Sequence, residues 1–161
     1  MTGLARQDVS LGQRRLVLMS IKPRYWERIQ SGSKCFELRR TPVRFSSGDI
    51  VVVYASSPSR ALVGAFEAKR ILRAPKAEIW ERYSAYLGVG EEDYFDYFSD
   101  VEFATAIEIR RVHSIERIPL SALRSRWPGF RPPQSFMYWG EDHWRHLQFQ
   151  TSFDMVDVEP S

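Results

Sequence analysis

Apolar runs and polar turns alternate along the first third of the chain in an order that predicts strand, helix, turn and strand. Residues Leu16–Ile21 form a short apolar run ended by a Lys-Pro pair, which is typical of a buried strand. Proline suits the first turn of a helix, and the pattern predicts that helix over Arg24–Ser31, with Gly32 ending it. A second run, Asp49–Ala55, is rich in β-branched residues and predicts a strand buried on both faces.

Between these runs, the predicted strand Lys34–Arg39 alternates but carries charge on both faces. One interpretation is an edge strand whose charges discourage aggregation. The other is a polar, basic cleft built on rigid backbone. Because residues three apart on a strand point to opposite faces, Lys34 and Glu37 are expected to lie apart unless a bulge or twist brings them together.

The second half of the chain predicts further strands and short helices. A strand is expected over Ala61–Leu72, where Gly64 indicates a bulge or the close approach of another backbone. Helices are expected over Lys76–Tyr86 and Glu91–Ser99, followed by a strand over Glu102–Val112. The second helix mixes aromatic and acidic residues. We expect its rings to pack onto the sheet, since its carboxylates would repel phosphate.

Five motifs in register resemble the ASCH domain, a PUA-like family. The family signature G-x-K-x-x-E-x-R is present as Gly32, Lys34, Glu37 and Arg39. The resemblance spans about Leu16 to Tyr138 and implies an α+β fold, a small mixed PUA-like β-barrel with peripheral short helices. The remaining motifs, in chain order, are Gly48-Asp49, Tyr54–Pro58, Val63–Glu67 and Pro132–Phe136.

Length and composition favour one domain. The chain has 161 residues, of which 43% are hydrophobic. We expect a flexible N-terminal arm over 1–15, a single ASCH domain over 16–153, in which Trp144–Phe153 is a possible last strand, and a polar tail over 154–161. One cysteine favours a reducing cytoplasm, no apolar run is long enough to cross a membrane, and no zinc spacing or cofactor motif is evident.

Charge is unevenly distributed along the chain. Residues 1–75 hold 14 Lys/Arg and 5 Asp/Glu, whereas residues 76–161 hold 9 and 15. The basic half carries the signature, which favours a polyanionic partner because bound phosphates release counterions. Arginine outnumbers lysine, as suits phosphates and base edges, although this composition is also common in GC-rich genomes.

The leading functional interpretation is a domain that binds RNA or a modified nucleoside in a basic cleft on the signature strand. Unstacked bases are the usual targets of specific RNA recognition, and the resemblance to PUA-like domains supports the same use. Phosphate and sugar would be held by Lys22, Lys34, Arg39, Arg40 and the Arg124–Arg131 loop. The base would be read by Tyr54, Ser56, Ser57, Gln134, Ser135 and Tyr138.

Hydrolysis is the alternative, with Lys34, Glu37 and Ser135 as candidate catalytic residues. Some small bacterial ASCH proteins hydrolyse N(4)-acetylcytidine with a threonine nucleophile three positions after the signature lysine, where this chain has Glu37. A carboxylate there would act as general base, with Lys34 stabilising an oxyanion; a plain salt bridge is equally compatible.

A ribonuclease activity is also attributed to at least one ASCH protein. It would recruit Lys34, Arg39, Tyr54 and Ser135, because the usual pair of histidines is not evident. The three histidines lie outside the signature, and the spacing of His143 and His146 gives only a weak metal hint.

A third class is a protein–protein module that uses the acidic second half. We expect Lys34→Ala and Arg39→Ala to reduce ligand binding and to leave thermal unfolding unchanged if these residues serve the ligand.

Overall fold

The computed structural model describes residues 14–140, 142, 143 and 145. They form an α+β fold of one six-stranded sheet and four α-helices, so the predicted class is confirmed. The elements in chain order are β1 Leu16–Ile21, α1 Pro23–Ser31, β2 Phe36–Arg39, β3 Ile50–Ala55, β4 Ala61–Pro75, α2 Lys76–Tyr83, a 3₁₀ turn Ser84–Tyr86, α3 Glu91–Tyr97, β5 Phe103–Pro119, α4 Leu120–Arg126 and β6 Phe136–Trp139.

The sheet is open. Its strand order is β2-β5-β4-β3-β1-β6, and within the described residues β2 and β6 are end strands that do not pair with each other. The predicted closed barrel is therefore wrong. The β1–β3 pair is parallel and the other pairs are antiparallel. Apolar β1 and β3 lie side by side inside the sheet, and α1, β2 and the loop that follows β2 connect them.

Strand β3 is buried along its whole length, as its β-branched sequence predicts. Helix α1 ends where expected, because Gly32 adopts a left-handed φ of 86° and its N–H bonds the Ile29 carbonyl. The prediction for Gly64 is also confirmed. A side chain there would overlap the carbonyl oxygen of His113 and the Trp26 ring, and the β4–β5 register shifts beside it.

Strand β5 is longer than the sequence predicts. It continues to Pro119, although its second half was expected to leave the sheet after Val112. Arginines, a histidine and a glutamate give that half no apolar alternation. A bulge at Arg111, where φ is 56°, keeps it paired with β4 through a register shift between Ala65 and Glu67.

Three hydrophobic clusters pack on this sheet. Helix α4 covers one end of it around Leu120 and Leu123. Helix α1 covers the opposite face with Trp26 and Ile29. The third cluster lies under α2 and α3, which places the fully buried rings of Tyr94 and Phe98 against the far half of β4 and β5, as expected for the aromatic helix.

The ends of the chain lie mostly outside the described residues. Positions 1–13 of the predicted arm, the predicted tail 154–161 and nearly all of the possible strand Trp144–Phe153 are not described. The last two arm residues meet the sheet, where the Arg15 backbone N–H donates to Asp49 Oδ1 at 2.8 Å. In the described part of the chain, no helix has the length and apolar character to span a membrane.

Candidate functional site

A cleft of about 840 Å³ opens where β1 and β3 end. Ile21 pairs with Ala55 in parallel register, so both strands finish at the same edge of the sheet. Lys22 follows the first strand and Ser56 the second, and both line the cleft. Parallel strand ends commonly hold ligands, since side chains and free backbone groups converge there. The other walls are β2, α3 and the segment Pro132–Gln134.

One wall is a buried charge group that we call the β2 cluster: Lys34, Glu37 and Arg39. Their exposed fractions are only 3%, 6% and 9%. The Arg39 guanidinium donates to Glu37 Oε2 at 3.0 Å and to the Ser20 carbonyl at 2.8 Å. The Lys34 ammonium lies 4.0 Å from Glu37 Oε1. These charges are held by one another and by backbone oxygens, as burial requires.

The Lys34 side chain reaches the same face of the sheet as the Glu37 side chain, because Lys34 precedes the regular strand. β2 starts at Phe36, so the alternation that would separate residues 34 and 37 does not apply. The expected opposition of the two side chains is therefore wrong. Phe36 and Leu38 still point away from the cluster, into the core under α2 and α3.

The Lys34 side chain is anchored to the turn that follows α2. Its ammonium donates to the Leu87 carbonyl at 2.9 Å and lies 5.0 Å from the centre of the Tyr25 ring. Burial lowers the pKa of Lys34 below its ordinary value; Glu37 opposes this shift, while Arg28 and Arg39 add to it.

The two interpretations of the signature strand are both partly supported. β2 is an edge strand, bonded only to β5 in the described sheet. Glu37 and Arg39 of this strand are nevertheless buried and line the cleft. They are therefore not the solvent-exposed charges by which an edge strand discourages aggregation. Only Arg40 faces water, where it pairs with Asp100 at 3.2 Å.

The opposite wall, which we call the strand-end wall, consists of Lys22, Tyr54, Ser56, Ser57 and Arg60. Tyr54 is 3% exposed, and its hydroxyl makes no hydrogen bond to the described residues. Arg60 has a left-handed φ of 51°, which is uncommon without glycine and typical of functional loops. None of the five side chains has a hydrogen-bond or ion-pair partner among the described residues.

Helix α3 supplies a wall that sequence reasoning missed. Tyr97 is 42% exposed, and it lines the cleft together with Asp93 and Asp96. Burial raises the pKa of Tyr94 to about 12 and also raises that of Tyr97, so both phenols remain protonated donors. The helix is remote in sequence from the signature, and its aromatic pattern indicated packing alone.

The lining charges have both signs. Six are cationic (Lys22, Arg24, Lys34, Arg39, Arg60 and Arg124) and three are carboxylates (Glu37, Asp93 and Asp96), a balance of +3. The cleft therefore offers cations for an anionic group and carboxylates for hydrogen-bond donors of the same ligand. Among the described residues, no group of three or more His, Cys, Asp or Glu side chains is arranged to hold a metal ion.

Most predicted site residues line the cleft, but three do not. Arg40 points to Asp100, and Ser135 contacts the site only through its carbonyl, which accepts from the Ser20 N–H at 3.3 Å. The Tyr138 hydroxyl accepts from Arg15 at 3.3 Å near the start of β1. The predicted residues that line the cleft are Lys22, Lys34, Glu37, Arg39, Tyr54, Ser56, Ser57 and Gln134. Of the predicted Arg124–Arg131 loop, Arg124 lines the cleft, whereas Arg126 and Arg131 do not.

Three comparisons with known proteins agree. The model of the ASCH domain family matches residues 19–113. A protein from Zymomonas mobilis subsp. mobilis named ASCH domain-containing ribonuclease is 29% identical over 139 residues, which are 86% of this chain and 94% of that protein. The crystal structure of ASCH from Zymomonas mobilis superposes with a TM-score of 0.81 at 28% identity, covering 86% of this chain and 97% of that one.

A more distant likeness concerns the fold alone. The N-terminal domain of McrB from Staphylothermus marinus matches with a TM-score of 0.54 and 10% identity over 87% of this chain and 96% of that one. The family model covers more than half of the chain, and the signature residues Lys34, Glu37 and Arg39 line one cleft. This chain belongs to the ASCH domain family.

Proposed function

We propose that this chain binds single-stranded RNA in the cleft and cleaves it. The observation that carries the proposal is the strand-end wall, where cationic and hydroxyl groups without a hydrogen-bond or ion-pair partner among the described residues face a buried carboxylate across one cavity. The Zymomonas mobilis relative named a ribonuclease supports the same reaction class.

Phosphate is assigned to the strand-end side of the cleft. Lys22, Arg60 and Arg124 bring three positive charges there, and Ser56 and Ser57 add hydroxyl donors. Arg124 Nε already donates to the Phe130 carbonyl at 3.3 Å. Lys22 and Arg60 have no partner among the described residues, so they are available to a ligand without first breaking a protein bond. Guanidinium groups also match the geometry of phosphate oxygens.

The sugar and base are assigned to the side formed by β2 and α3. Tyr97 offers a partly exposed ring for stacking, and Asp93 and Asp96 offer acceptors to base amino groups. Asp93 and Asp96 would repel a phosphate, which keeps the scissile phosphate between the strand-end wall and the β2 cluster. A cavity of about 840 Å³ suits one or two nucleotides with unstacked bases.

Cleavage is assigned to Glu37 and Lys34, using the ribose 2′-hydroxyl. Glu37 Oε2 is fixed by Arg39, while Oε1 is left to take the 2′-hydroxyl proton. The 2′-oxygen then bonds to phosphorus, the bond from phosphorus to the 5′-oxygen breaks, and the Lys34 ammonium protonates that oxygen. The lowered pKa of Lys34 makes it a stronger acid for this step. The products are a 2′,3′-cyclic phosphate and a free 5′-hydroxyl.

The amidohydrolase alternative has less support. Glu37 stands where those enzymes have a threonine, and its carboxylate is bonded to Arg39. Amide hydrolysis would need a water nucleophile activated by Glu37, whereas the ribonuclease step uses the 2′-hydroxyl that the RNA itself supplies.

The test combines fluorescence anisotropy of a labelled single-stranded RNA with gel analysis of the same samples. We expect Arg60→Gln to weaken binding and Glu37→Gln to bind RNA without cutting it. Arg82→Gln, an exposed arginine on α2 with a local Glu78 partner, serves as the matched control and should match wild type.

Each contrary outcome has a distinct meaning. Salt-dependent binding that leaves RNA intact would reduce the function to a binding module. Salt-insensitive binding, or none, would favour the protein–protein class. Release of acetate from free acetylcytidine, without RNA cleavage, would replace the ribonuclease with the amidohydrolase.

A further inference from the structure

Two carboxylates line the cleft without a partner in the described part of the chain. Asp93 and Asp96 lie three residues apart on α3, so their side chains leave the same face of the helix. Both are exposed, and neither has a hydrogen bond or an ion pair to a described residue. Because an ionised carboxylate only accepts hydrogen bonds, this pair is suited to a ligand edge that carries adjacent donors.

A cation lies beside these acceptors. Arg24, in the first turn of α1, also lines the cleft. Its guanidinium donates to the Tyr25 hydroxyl at 3.2 Å and lies 4.8 Å from the centre of that ring. The hydrogen bond with Tyr25 raises the pKa of Arg24 most, and the charge of Asp93 adds to the shift, so Asp93 lies within electrostatic range. This side of the cleft therefore presents a fixed donor next to two acceptors.

A buried polar group in the same cleft indicates independently that a ligand enters it. Tyr54 is 3% exposed and lines the cleft, but its hydroxyl has no hydrogen bond to the described residues. A buried hydroxyl that lacks a partner destabilises the fold, and a ligand that bonds to it removes this cost.

The exposed ring of α3 lies next to the group assigned to the ribose. Tyr97 is 42% exposed and lines the cleft. Its hydroxyl donates to the Leu38 carbonyl at 3.4 Å, and Leu38 lies between Glu37 and Arg39 on β2. A base stacked on this ring therefore belongs to the nucleotide whose 2′-hydroxyl meets Glu37.

Guanine is the one RNA base whose pairing edge complements this side. That edge carries an acceptor, O6, followed by two adjacent donors, N1–H and the N2 amino group. Adenine and cytosine place a ring-nitrogen acceptor beside their amino group, and uracil flanks its single N–H with two carbonyl acceptors. A carboxylate accepts the two donors of guanine side by side, as it does those of an arginine, but meets a lone pair on each other base.

We propose that this side of the cleft selects guanine, so that the chain cleaves RNA on the 3′ side of guanosine; this inference rests on the proposed function. Asp93 and Asp96 accept from N1–H and the N2 amino group. Arg24 donates to O6, and the base stacks on Tyr97. By the proton transfers already described, the bond from phosphorus to the 5′-oxygen of the next nucleotide breaks. The products are a guanosine 2′,3′-cyclic phosphate and a free 5′-hydroxyl.

The test compares bases at one position of a short RNA. Labelled uridine hexamers carry guanosine, inosine, adenosine, cytidine or uridine at the third position, and 2′-fluoro sugars prevent the proposed cleavage. Anisotropy gives their affinity for wild type and for Asp93→Asn/Asp96→Asn, which keeps the side-chain shapes and removes both charges. The control, Glu91→Gln/Glu92→Gln, removes two exposed carboxylates of the same helix that do not line the cleft. Unmodified hexamers, analysed on a gel, give the position of the cut.

We expect wild type to bind the guanosine hexamer about 5- to 100-fold more tightly than the adenosine, cytidine or uridine hexamer, as for one bidentate base contact. Inosine lacks only the N2 amino group and should lie between. The cut should fall directly after guanosine. The Asp93→Asn/Asp96→Asn variant should lose the preference but bind the uridine hexamer at least as tightly as wild type, because it repels the RNA backbone less. The control variant should keep the preference.

The base comparison on wild type does not depend on the folding of any variant. Equal affinity for all five hexamers, or a preference for another base, would overturn this inference alone. A guanine preference that persists in Asp93→Asn/Asp96→Asn would overturn it as well. Failure of wild type to bind any hexamer or to cut the unmodified ones would overturn the proposed function and this inference together.

Discussion

The β2 cluster and the strand-end wall face each other across one cleft but are built in opposite ways. In the β2 cluster, Lys34, Glu37 and Arg39 bond to one another and to backbone oxygens. On the strand-end wall, Tyr54 and Arg60 make no such bonds among the described residues. The first wall is preorganised by the protein, and the second keeps its hydrogen-bonding capacity for a ligand. In the proposed function, the cluster therefore supplies the fixed charges for cleavage, and the wall binds the phosphate.

The largest change in unfolding free energy is expected from a substitution that breaks the β2 cluster. Glu37→Ala leaves Lys34 and Arg39 buried without their carboxylate, which should cost about 3–5 kcal/mol of unfolding free energy. The measurement is urea unfolding. Asp100→Ala is the matched control, since it removes the partner of exposed Arg40 and should cost less than about 1 kcal/mol. Equal losses in the two variants would contradict the distinction.

This expectation changes one drawn from the sequence. Substituting Lys34 or Arg39 was expected to affect binding and leave thermal unfolding unchanged. Their exposed fractions of 3% and 9% now predict a loss of stability as well, so binding by these variants has to be read beside their unfolding curves.

A smaller effect is expected where Lys34 meets the turn after α2. Gly88 has a φ of 65°, and a Cβ there would lie 2.5 Å from Lys34 Cβ. Gly88→Ala should cost about 1–3 kcal/mol through strain and overpacking, measured by urea unfolding. Gly90→Ala is the control, because a Cβ at Gly90 meets nothing within 4 Å. If both variants unfold alike, the turn does not hold the cluster.

On the strand-end wall, stability and binding should separate. Tyr54→Phe removes a hydroxyl that has no partner among the described residues, so unfolding should change by less than about 0.5 kcal/mol. RNA affinity, measured by anisotropy, should fall about 2- to 10-fold through one lost hydrogen bond. Tyr94→Phe provides the contrast in unfolding, because its hydroxyl donates to the Lys76 carbonyl at 2.9 Å. A larger loss of unfolding free energy for Tyr54→Phe than for Tyr94→Phe would contradict the expectation that the Tyr54 hydroxyl does not stabilise the fold.

The smallest effect is in the pH dependence of stability. Because burial lowers the pKa of Lys34 in the folded state, the unfolded chain binds more protons between that lowered pKa and the ordinary value of 10.5. Stability should therefore rise with pH across that window through this residue. Urea unfolding at several pH values should show wild type gaining stability relative to Lys34→Met as pH rises. A difference that does not change with pH would contradict the lowered pKa.

Local patterns were sufficient for the elements that depend on a single stretch of chain. The β-branched run of β3, the glycine end of α1 and the close approach at Gly64 all follow from residue type. The second half of β5 does not follow from residue type, because a bulge and pairing with β4 hold this polar segment in the sheet. The open sheet was missed for a similar reason, since closure depends on strand ends far apart in sequence.

The candidate site shows the same limit. Motifs located Lys34, Glu37 and Tyr54, which line the cleft. The alternation of the predicted strand placed the Lys34 side chain on the face opposite to Glu37. This was wrong because β2 begins at Phe36, two residues later than expected. Tyr97 and the acidic residues of α3 reach the cleft through packing between distant segments, and no local pattern in the sequence encodes that meeting.

The connection between β4 and β5 has a consequence for how such proteins diverge. Residues 76–102 leave the sheet after β4, contribute α2 and α3, and return to β5 beside the point of departure, where Pro75 pairs with Phe103. The strand-end wall lies on other segments. Changes at the cleft-lining positions Asp93, Asp96 and Tyr97 would remodel the side assigned to the base and leave the phosphate side intact. Leu87, Tyr94 and Phe98 of the same segment have to be kept, because they hold Lys34 and fill the core. Ligand preference can thus evolve in this segment while the sheet that supports the chemistry is conserved.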